Sequence, residues 1–148
     1  NHRRLLGIIT RQDVLKALQY IQKQPQMGET FANQIMNRFH EEKGEGGIYF
    51  RGEVTPQMTN HLGNISSGVL TTLVSESGSR ALRQYKKGDM VPENITVYFL
   101  KPVQIESTIE IRPRVLEVGR KFGKVEVEVY HQGMLVSKAM MTVQVIER

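Results

Sequence analysis

Cysteine is absent from all 148 residues, which excludes disulfides, thiolate nucleophiles and zinc–sulfur sites. No apolar run approaches the ~20 residues that a membrane-spanning helix needs, and no signal-peptide pattern opens the chain. Internal repeats and low-complexity tracts are missing as well. The residues that are present, 39% hydrophobic and 24% charged, are typical of a soluble globular protein with a sizeable core. We therefore expect a cytoplasmic protein with no membrane partner.

The chain is basic, with 20 Lys and Arg residues against 15 Asp and Glu and a formal net charge of +5. A basic protein attracts nucleic acid, but small molecules that carry phosphates attract the same residues. The cations are spread along the chain rather than massed in one arm. This distribution favours a small anionic ligand over a nucleic-acid partner.

The most informative stretch is residues 60–82, a polar loop with glycines that turns into an apolar segment. Its apolar residues recur at helical spacing, with Ser66 or Ser67 as the N-cap. A helix that begins here leaves backbone N–H groups near Ser67, Gly68 and Val69 unpaired, with the positive end of the helix dipole behind them. Such a helix end can hold a polarised carbonyl oxygen. Glu76 lies about two turns further along, so the same helix also carries an acid.

Strand patterns surround this helix. Residues 47–54 alternate enough to form a first strand, and four further strand-like runs follow the helix at 94–100, 107–116, 124–131 and 134–146. Gln132-Gly133 is typical of a tight hairpin turn between the last two. A helix followed by a long antiparallel meander predicts an α+β fold in which a sheet wraps around one central helix.

At these residues the sequence resembles the hotdog-fold superfamily, in particular the acyl-CoA thioesterases of the phenylacetate-pathway and 4-hydroxybenzoyl-CoA type. The resemblance covers roughly residues 47–148. It implies a hotdog fold, an acyl-CoA ligand with no further cofactor, and a cleft built between the subunits of a homodimer or a dimer of dimers. The residues that carry it are Asn60, the Gly63-x-x-Ser66-Ser67-Gly68 loop, Leu73, Glu76 and the strand end Phe99-Leu100-Lys101-Pro102-Val103.

The resemblance also implies roles for particular residues. Glu76 would act as general base or nucleophile, Asn60 would position the thioester or the water, and the backbone of Ser67 and Gly68 would hold the carbonyl oxygen. No metal is implied. Coenzyme A phosphates would bind Arg120 and Lys121 in a turn between two strands, together with Lys101. A solvated basic hairpin is the alternative interpretation of that turn.

The register of the acid is open. The thioesterase loop usually reads His-Gly-Gly, and the matching triplet here is residues 66–68 or residues 67–69. The first register places the family's acid at Ser75 and the second at Glu76, about 100° apart around a helix. A carboxylate inside an otherwise apolar helix costs free energy, so its presence there indicates a functional role. Glu76 is therefore favoured as the acid. The alternative is a surface glutamate paired with Arg80 at i+4.

Two functional classes follow. One is an acyl-CoA thioesterase; the other is a non-catalytic acyl-CoA sensor, like the hotdog domain of malonyl-CoA-responsive repressors. Those repressors have an asparagine where the acid belongs and a helix-turn-helix segment, so Glu76 and the lack of such a segment favour the enzyme. A dehydratase would need a catalytic histidine together with the acid, and neither His61 nor His131 lies at a position in the sequence that suits this role.

The N-terminal part carries a second resemblance. Residues 1–22 resemble the closing strand and helix of a CBS (cystathionine β-synthase) motif. In that family the Thr10 and Asp13 positions often contact an adenine nucleotide, and helix capping is the alternative role for Asp13. The rest of a CBS pair is missing. This fragment would be the truncated edge of a regulatory module. Residues 23–46 are predicted as a connector helix, with His40-Glu41-Glu42 as its solvated end rather than a metal site.

Overall fold

Two α-helices and six strands make up residues 30–146, the part of the chain that the computed structural model describes. The CBS-like strand and helix, with Thr10 and Asp13, lie outside the described residues and stay a prediction. No helix within residues 30–146 is long and apolar enough to cross a bilayer. The helices are α1 (Phe31–Met36) and α2 (Ser67–Leu82), and the strands are β1 (Phe39–Gly44), β2 (Gly47–Glu53), β3 (Asp89–Phe99), β4 (Thr108–Val118), β5 (Phe122–His131) and β6 (Met134–Ile146).

The six strands form one antiparallel sheet in the order β1-β2-β4-β5-β6-β3. Helix α2 lies on one face of this sheet and contacts every strand from β2 to β6, while α1 packs on α2. The predicted α+β hotdog architecture, a sheet wrapped around a central helix, is therefore confirmed. Strands β1 and β3 are the two edges of the sheet, and β3 directly follows α2 in the chain.

Strict alternation of apolar residues builds the core between sheet and helix. On β5, Val125, Val127 and Val129 all point toward α2 and are fully buried. They meet Leu73 and Val74 of α2 within the same buried cluster. Because successive side chains of a strand point to opposite faces, the residues between the valines are left for the outer face.

Glycine allows α2 to end close against the sheet. A Cβ atom placed on Gly123, the second residue of β5, would lie 2.6 Å from Leu82 Cδ1 and 2.7 Å from Leu82 Cδ2. Leu82 is fully buried at the end of α2 and cannot move into solvent. The absence of a side chain at Gly123 therefore sets the distance between the end of the helix and the β4–β5 hairpin.

Gly123→Ala is expected to lower the free energy of unfolding by about 1–3 kcal/mol, because an extra methyl in a packed core forces its neighbours to move. The measurement is the urea midpoint at unchanged slope. Gly46→Ala is the matched control, since no atom lies within 4 Å of a Cβ at that position. Equal midpoints for the two variants would contradict the packing argument.

The outer face of the sheet carries a network of ion pairs across β2, β4, β5 and β6. The Arg112 guanidinium hydrogen-bonds Glu110 and holds the pKa of that carboxyl below its usual range. Arg112 also stacks over the Tyr130 ring at 4.5 Å. The ion pairs are Arg51–Glu110 (3.5 Å), Arg112–Glu110 (2.9 Å), Arg114–Glu126 (3.3 Å), Lys138–Glu126 (3.5 Å) and Lys138–Glu128 (3.5 Å).

The predicted connector helix over 23–46 is wrong in its second half. The helix ends at Met36, and residues 39–44 form strand β1 instead, so the sheet begins before Gly47. Phe39 fits a helical pattern, but here it is buried opposite Gly52 of β2. Pairing with β2 supplies hydrogen bonds to this backbone, and the turn before Gly47, which has φ +109°, closes the hairpin.

Candidate functional site

The loop before α2 is held in one conformation by backbone hydrogen bonds. Asn60 Oδ1 accepts the N–H groups of Leu62 (2.9 Å) and Asn64 (3.2 Å), and Ile65 N–H donates to the Val103 carbonyl (2.7 Å). Gly63 takes φ +80°, which the turn requires. Because both partners of Asn60 Oδ1 are donors, only the amide NH₂ of Asn60 is left for a ligand. Asn60 can therefore donate to a carbonyl or a water oxygen.

Two backbone donors remain open at the start of α2. Ser66 is the N-cap: its Oγ accepts Val69 N–H (3.1 Å) and its carbonyl accepts Leu70 N–H (3.0 Å). Val69 N–H is therefore not available, contrary to the sequence-based expectation. The N–H groups of Ser67 and Gly68 have no acceptor among the described residues, and both residues are exposed. This pair of donors at a helix N-terminus suits a developing oxyanion.

A cleft of about 360 Å³ opens beside this helix start. It brings together Asn60, Ser67 and Lys101 from three separate parts of the chain. Its lining does not include Gly68 or Glu76. The strand end 99–103 was expected from the family resemblance, with a ligand role for Lys101 alone; its apolar side chains form one wall of the cleft. The remaining lining residues are Asn64, Ile65, Leu70, Phe99, Leu100 and Pro102.

Helix geometry separates the two candidate positions for the acid. At about 100° per residue, Ser75 lies about 80° around the helix from Ser67, whereas Glu76 lies about 180° from it. Glu76 therefore shares a side of α2 with Arg80, one turn further on. Arg80 donates to Asn33 Oδ1 of α1 (3.4 Å) and makes no ion pair with Glu76. Arg80 thus contacts α1, whereas the residues of α2 that line the cleft are Ser67 and Leu70.

Arg120 and Lys121 lie at the far end of the sheet. They form the tip of the β4–β5 hairpin, beside Phe122, whose partner on β6 is Gln144. Lys101 follows Phe99, whose partner on β6 is Ser137. These two positions on β6 are about 23 Å apart along the strand. Within one subunit the three predicted coenzyme A contacts are therefore split into two groups.

The histidines and the acidic strand β1 form no further site. His61 is exposed on the loop beside the cleft, and His131 Nδ1 donates to the Thr108 carbonyl (3.0 Å). His40 and Glu42 lie on one face of β1 and Glu41 on the other. Across residues 30–146, no group of three or more His, Asp or Glu side chains is placed to hold a metal ion.

Comparison with known proteins identifies the family. The model of the family described as "Thioesterase superfamily" matches residues 62–138, more than half of the chain, from the loop before α2 to the middle of β6. The chain belongs to the thioesterase superfamily. In this thioesterase-superfamily domain, the matched residues include the open helix start and the wall of the cleft.

A curated relative of this superfamily member is the protein YtoI of Bacillus subtilis (strain 168), which is 56% identical over 149 residues. The alignment covers 99% of this chain and 34% of YtoI. The chain thus spans about a third of the length of that relative.

Solved thioesterase structures share the fold. Zebra fish thioesterase superfamily member 2 has a TM-score of 0.72 at 19% identity, covering 93% of this chain and 99% of that protein. A hypothetical thioesterase from Streptococcus pneumoniae TIGR4, solved with coenzyme A, has a TM-score of 0.70 at 23% identity and coverages of 78% and 91%. The protein smu.793 from Streptococcus mutans UA159, bound to acetyl CoA, has a TM-score of 0.68 at 24% identity and coverages of 74% and 90%.

Proposed function

We propose that this domain binds an acyl-CoA thioester in the cleft at the start of α2. The observation that carries the proposal is the pair of open backbone donors of Ser67 and Gly68 beside a cleft with an apolar wall. The thioester oxygen would accept these two N–H groups, and the Asn60 NH₂ would donate to it or to a neighbouring water. Structural relatives that carry coenzyme A and acetyl CoA support this ligand class.

The edges of the sheet support a homodimer. Strand β1 carries His40, Glu41, Glu42 and Lys43, and such charged residues protect an edge strand from pairing. Strand β3 is longer and has no charged residue from Asn94 to Phe99. Its free edge is therefore suited to pair with the same strand of a second copy, in antiparallel fashion about a two-fold axis.

This pairing would complete the ligand site. Lys121 at the hairpin tip accepts a hydrogen bond from Val145 N–H (2.7 Å), and Val145 pairs with Met90 near the start of β3. Antiparallel pairing of the 94–99 segments puts the start of the partner's β3, and with it the partner's hairpin tip, next to Leu100 and Lys101 of this subunit. The two groups of coenzyme A contacts that are distant within one chain would then meet between subunits.

The double variant Arg120→Ala/Lys121→Ala is expected to weaken coenzyme A binding by about 10-fold or more, since a hydrogen bond to a charged group contributes roughly 1.5–3 kcal/mol. Isothermal calorimetry with coenzyme A measures this. Arg83→Ala/Lys87→Ala removes the same charge from exposed positions after α2 and serves as the matched control. Equal coenzyme A affinities in the two double variants would mean that Arg120 and Lys121 are exposed to solvent and do not contact coenzyme A.

The position of the acid favours binding without turnover as the function of the site. Around α2, Ser75 lies about 80° from Ser67, which lines the cleft, and has no carboxylate, while Glu76 lies about 180° from Ser67. A ligand held without hydrolysis is what a sensor requires. On this interpretation the domain reports acyl-CoA to the rest of a larger protein.

Thioester hydrolysis is the second candidate function. Membership of the thioesterase superfamily favours it, as does Glu76, the only carboxylate on α2, which is half-buried and has no hydrogen bond or ion pair among the described residues. A screen of acyl-CoA chain lengths, read both as thiol release and as calorimetric binding, separates the candidates. Tight binding without thiol release supports the sensor, and rapid release supports the enzyme.

A further inference from the structure

Strands β2 and β4 separate partway along the sheet. They pair only from Phe50–Ile111 to Glu53–Thr108, although β2 begins three residues earlier and β4 runs seven residues further. A gap is therefore left in the sheet between the start of β2 and the second half of β4. One cavity of about 280 Å³ opens onto this gap on the side of α2, and another of about 340 Å³ opens onto it on the outer face. Both cavities are lined by Gly44, Gly46, Gly47, Ile48 and Pro113.

The gap leaves one backbone acceptor of β2 without its donor. Val54 N–H donates to the Ser107 carbonyl (2.8 Å), so Val54 and every second residue before it direct their backbone groups toward β4. Continuing the register of β2 with β4 would place Pro113 opposite Ile48. Proline has no N–H, so the Ile48 carbonyl receives no ladder hydrogen bond from that position. Ile48 is only 6% exposed, and a buried carbonyl without a donor is costly, so a ligand with an N–H or O–H group would be stabilised there.

The cavity on the side of α2 is largely apolar. Ile48 and Ala81 are buried, and Pro113 and Val115 continue the apolar surface along β4. Tyr85, which follows the end of α2, lines the cavity although it is 65% exposed, so its ring is available to stack on a ligand. The volume of about 280 Å³ lies just below the ~300–1,000 Å³ of sites for drug-sized molecules. These dimensions favour a ligand of one or two rings.

The charges at this cavity favour neither a cation nor an anion. Within residues 30–146, Lys43 is the only charged residue that lines it. The end of α2 also lines it, and the negative end of the helix dipole opposes the positive charge of Lys43. On the outer face, Arg112 and Glu110 line the second cavity and are hydrogen-bonded to each other (2.9 Å). A neutral ligand fits this balance.

We propose that the gap between β2 and β4 binds a small neutral aromatic molecule that carries one N–H or O–H donor. The ring would stack on Tyr85 and contact Pro113, and the donor would hydrogen-bond the Ile48 carbonyl. Ala81, at the site, lies about 20 Å along α2 from Ser67, at the cleft. The site is therefore separate from the cleft, and the inference does not rest on the proposed function.

Indole and 1-methylindole are the probes, because methylation replaces the N–H donor and keeps the ring system. The chain contains no tryptophan, so the change in indole emission on binding gives the dissociation constant without emission from the protein's own indoles. We expect indole to bind about 10-fold more tightly than 1-methylindole, which leaves the buried carbonyl without a donor. 3-Methylindole adds the same methyl but keeps the N–H, and should bind more tightly than 1-methylindole. Equal affinities for indole and 1-methylindole, or no binding up to the solubility limit of indole, would overturn the inference.

Two positions test the geometry. Tyr85→Ala is expected to weaken indole binding by about 5-fold through the loss of stacking, whereas Tyr85→Phe keeps the ring and should bind indole as wild type does. Pro113→Val supplies an N–H opposite Ile48, so the preference for indole over 1-methylindole should fall below about 2-fold. Circular dichroism and the elution volume establish that each variant keeps its fold. Unchanged indole affinity in Tyr85→Ala would place the ligand elsewhere, and an unchanged preference in Pro113→Val would exclude the Ile48 carbonyl as the acceptor.

Charged analogues and coenzyme A complete the test. Tryptamine and indole-3-acetate carry opposite charges on the same ring system, and each should bind more weakly than indole. Tighter binding of either one would overturn the assignment to a neutral ligand. Coenzyme A should bind Tyr85→Ala as tightly as wild type, because Tyr85 lines neither the cleft nor the hairpin tip. If coenzyme A does not bind the wild-type protein while indole does, only the proposed function fails.

Discussion

Ser75→Asp is expected to raise acyl-CoA hydrolysis by about 10²-fold over wild type, because it places a carboxylate at the position of α2 that the two-fold arrangement brings toward the partner's cleft, and a well-placed general base contributes 10²–10⁴-fold. Residue 75 lies about 12 Å along the helix from Ser67, so the new carboxylate would act in the partner's cleft. A two-fold axis that pairs the β3 edges also makes the two α2 helices antiparallel. The middle of one helix then lies toward the first turn of the other.

The measurement is thiol release from the acyl-CoA that binds most tightly in the chain-length screen. Ser75→Asn is the matched control, since it has the size of aspartate without a base. Glu76→Gln should leave both binding and residual hydrolysis unchanged. If the wild-type protein hydrolyses the thioester and Glu76→Gln lowers turnover by ~10²-fold, the second candidate function is correct and Glu76 is the base.

The double variant Thr96→Lys/Tyr98→Lys is expected to convert the dimer into a monomer at micromolar concentration. Both positions are exposed on the uncharged part of β3, and a two-fold arrangement would place four lysines along one strand pair. Light scattering gives the mass directly. Loss of the dimer should also remove high-affinity coenzyme A binding, because each site would lose the hairpin tip of the partner.

The matched control for this variant places the same lysines on interior strands. Thr108→Lys/Met140→Lys alters exposed positions of β4 and β6, which are not edge strands, and should remain dimeric. A wild-type protein that is monomeric at micromolar concentration would remove the inter-subunit site altogether.

Local signals in the sequence were sufficient for most of the sheet. The predicted strand 124–131 forms, with its alternating valines pointing to the core, and Gln132 and Gly133 take φ +51° and +76° in the predicted hairpin turn. Pro113 lies in β4, an interior strand. It lies past Ile111, where the pairing of β4 with β2 has ended, so its missing N–H removes no hydrogen bond from the pairs that form.

The segment 39–44 could not be assigned in this way. Its only bulky apolar residue is Phe39, which continues a helical spacing from Ile35, and the following charged residues have no period. Whether such a segment continues a helix or pairs with a strand depends on the tertiary partner. Here the edge of β2 lies across a short turn, and residues 39–44 pair with it and form a strand.

The sequence indicated which residues belong to the candidate site, but not how these residues are placed relative to one another. The Asn60 loop and the start of α2 follow from capping rules, and the structure places Asn60, Ser67 and Lys101 in one cleft. The side of α2 that faces the cleft depends on how the helix is rotated on the sheet, which a one-residue ambiguity in the motif leaves open. The distance from Lys101 to Arg120 depends on strand order.

The paired charges of the outer face also influence how quickly a ligand arrives. Since the cations on β2, β4 and β6 are neutralised by neighbouring glutamates, they contribute little field beyond a Debye length of about 8 Å at physiological ionic strength. The field of the hairpin tip is not cancelled in this way. An approaching polyphosphate is therefore steered to one end of the sheet, and its association rate falls as salt is added.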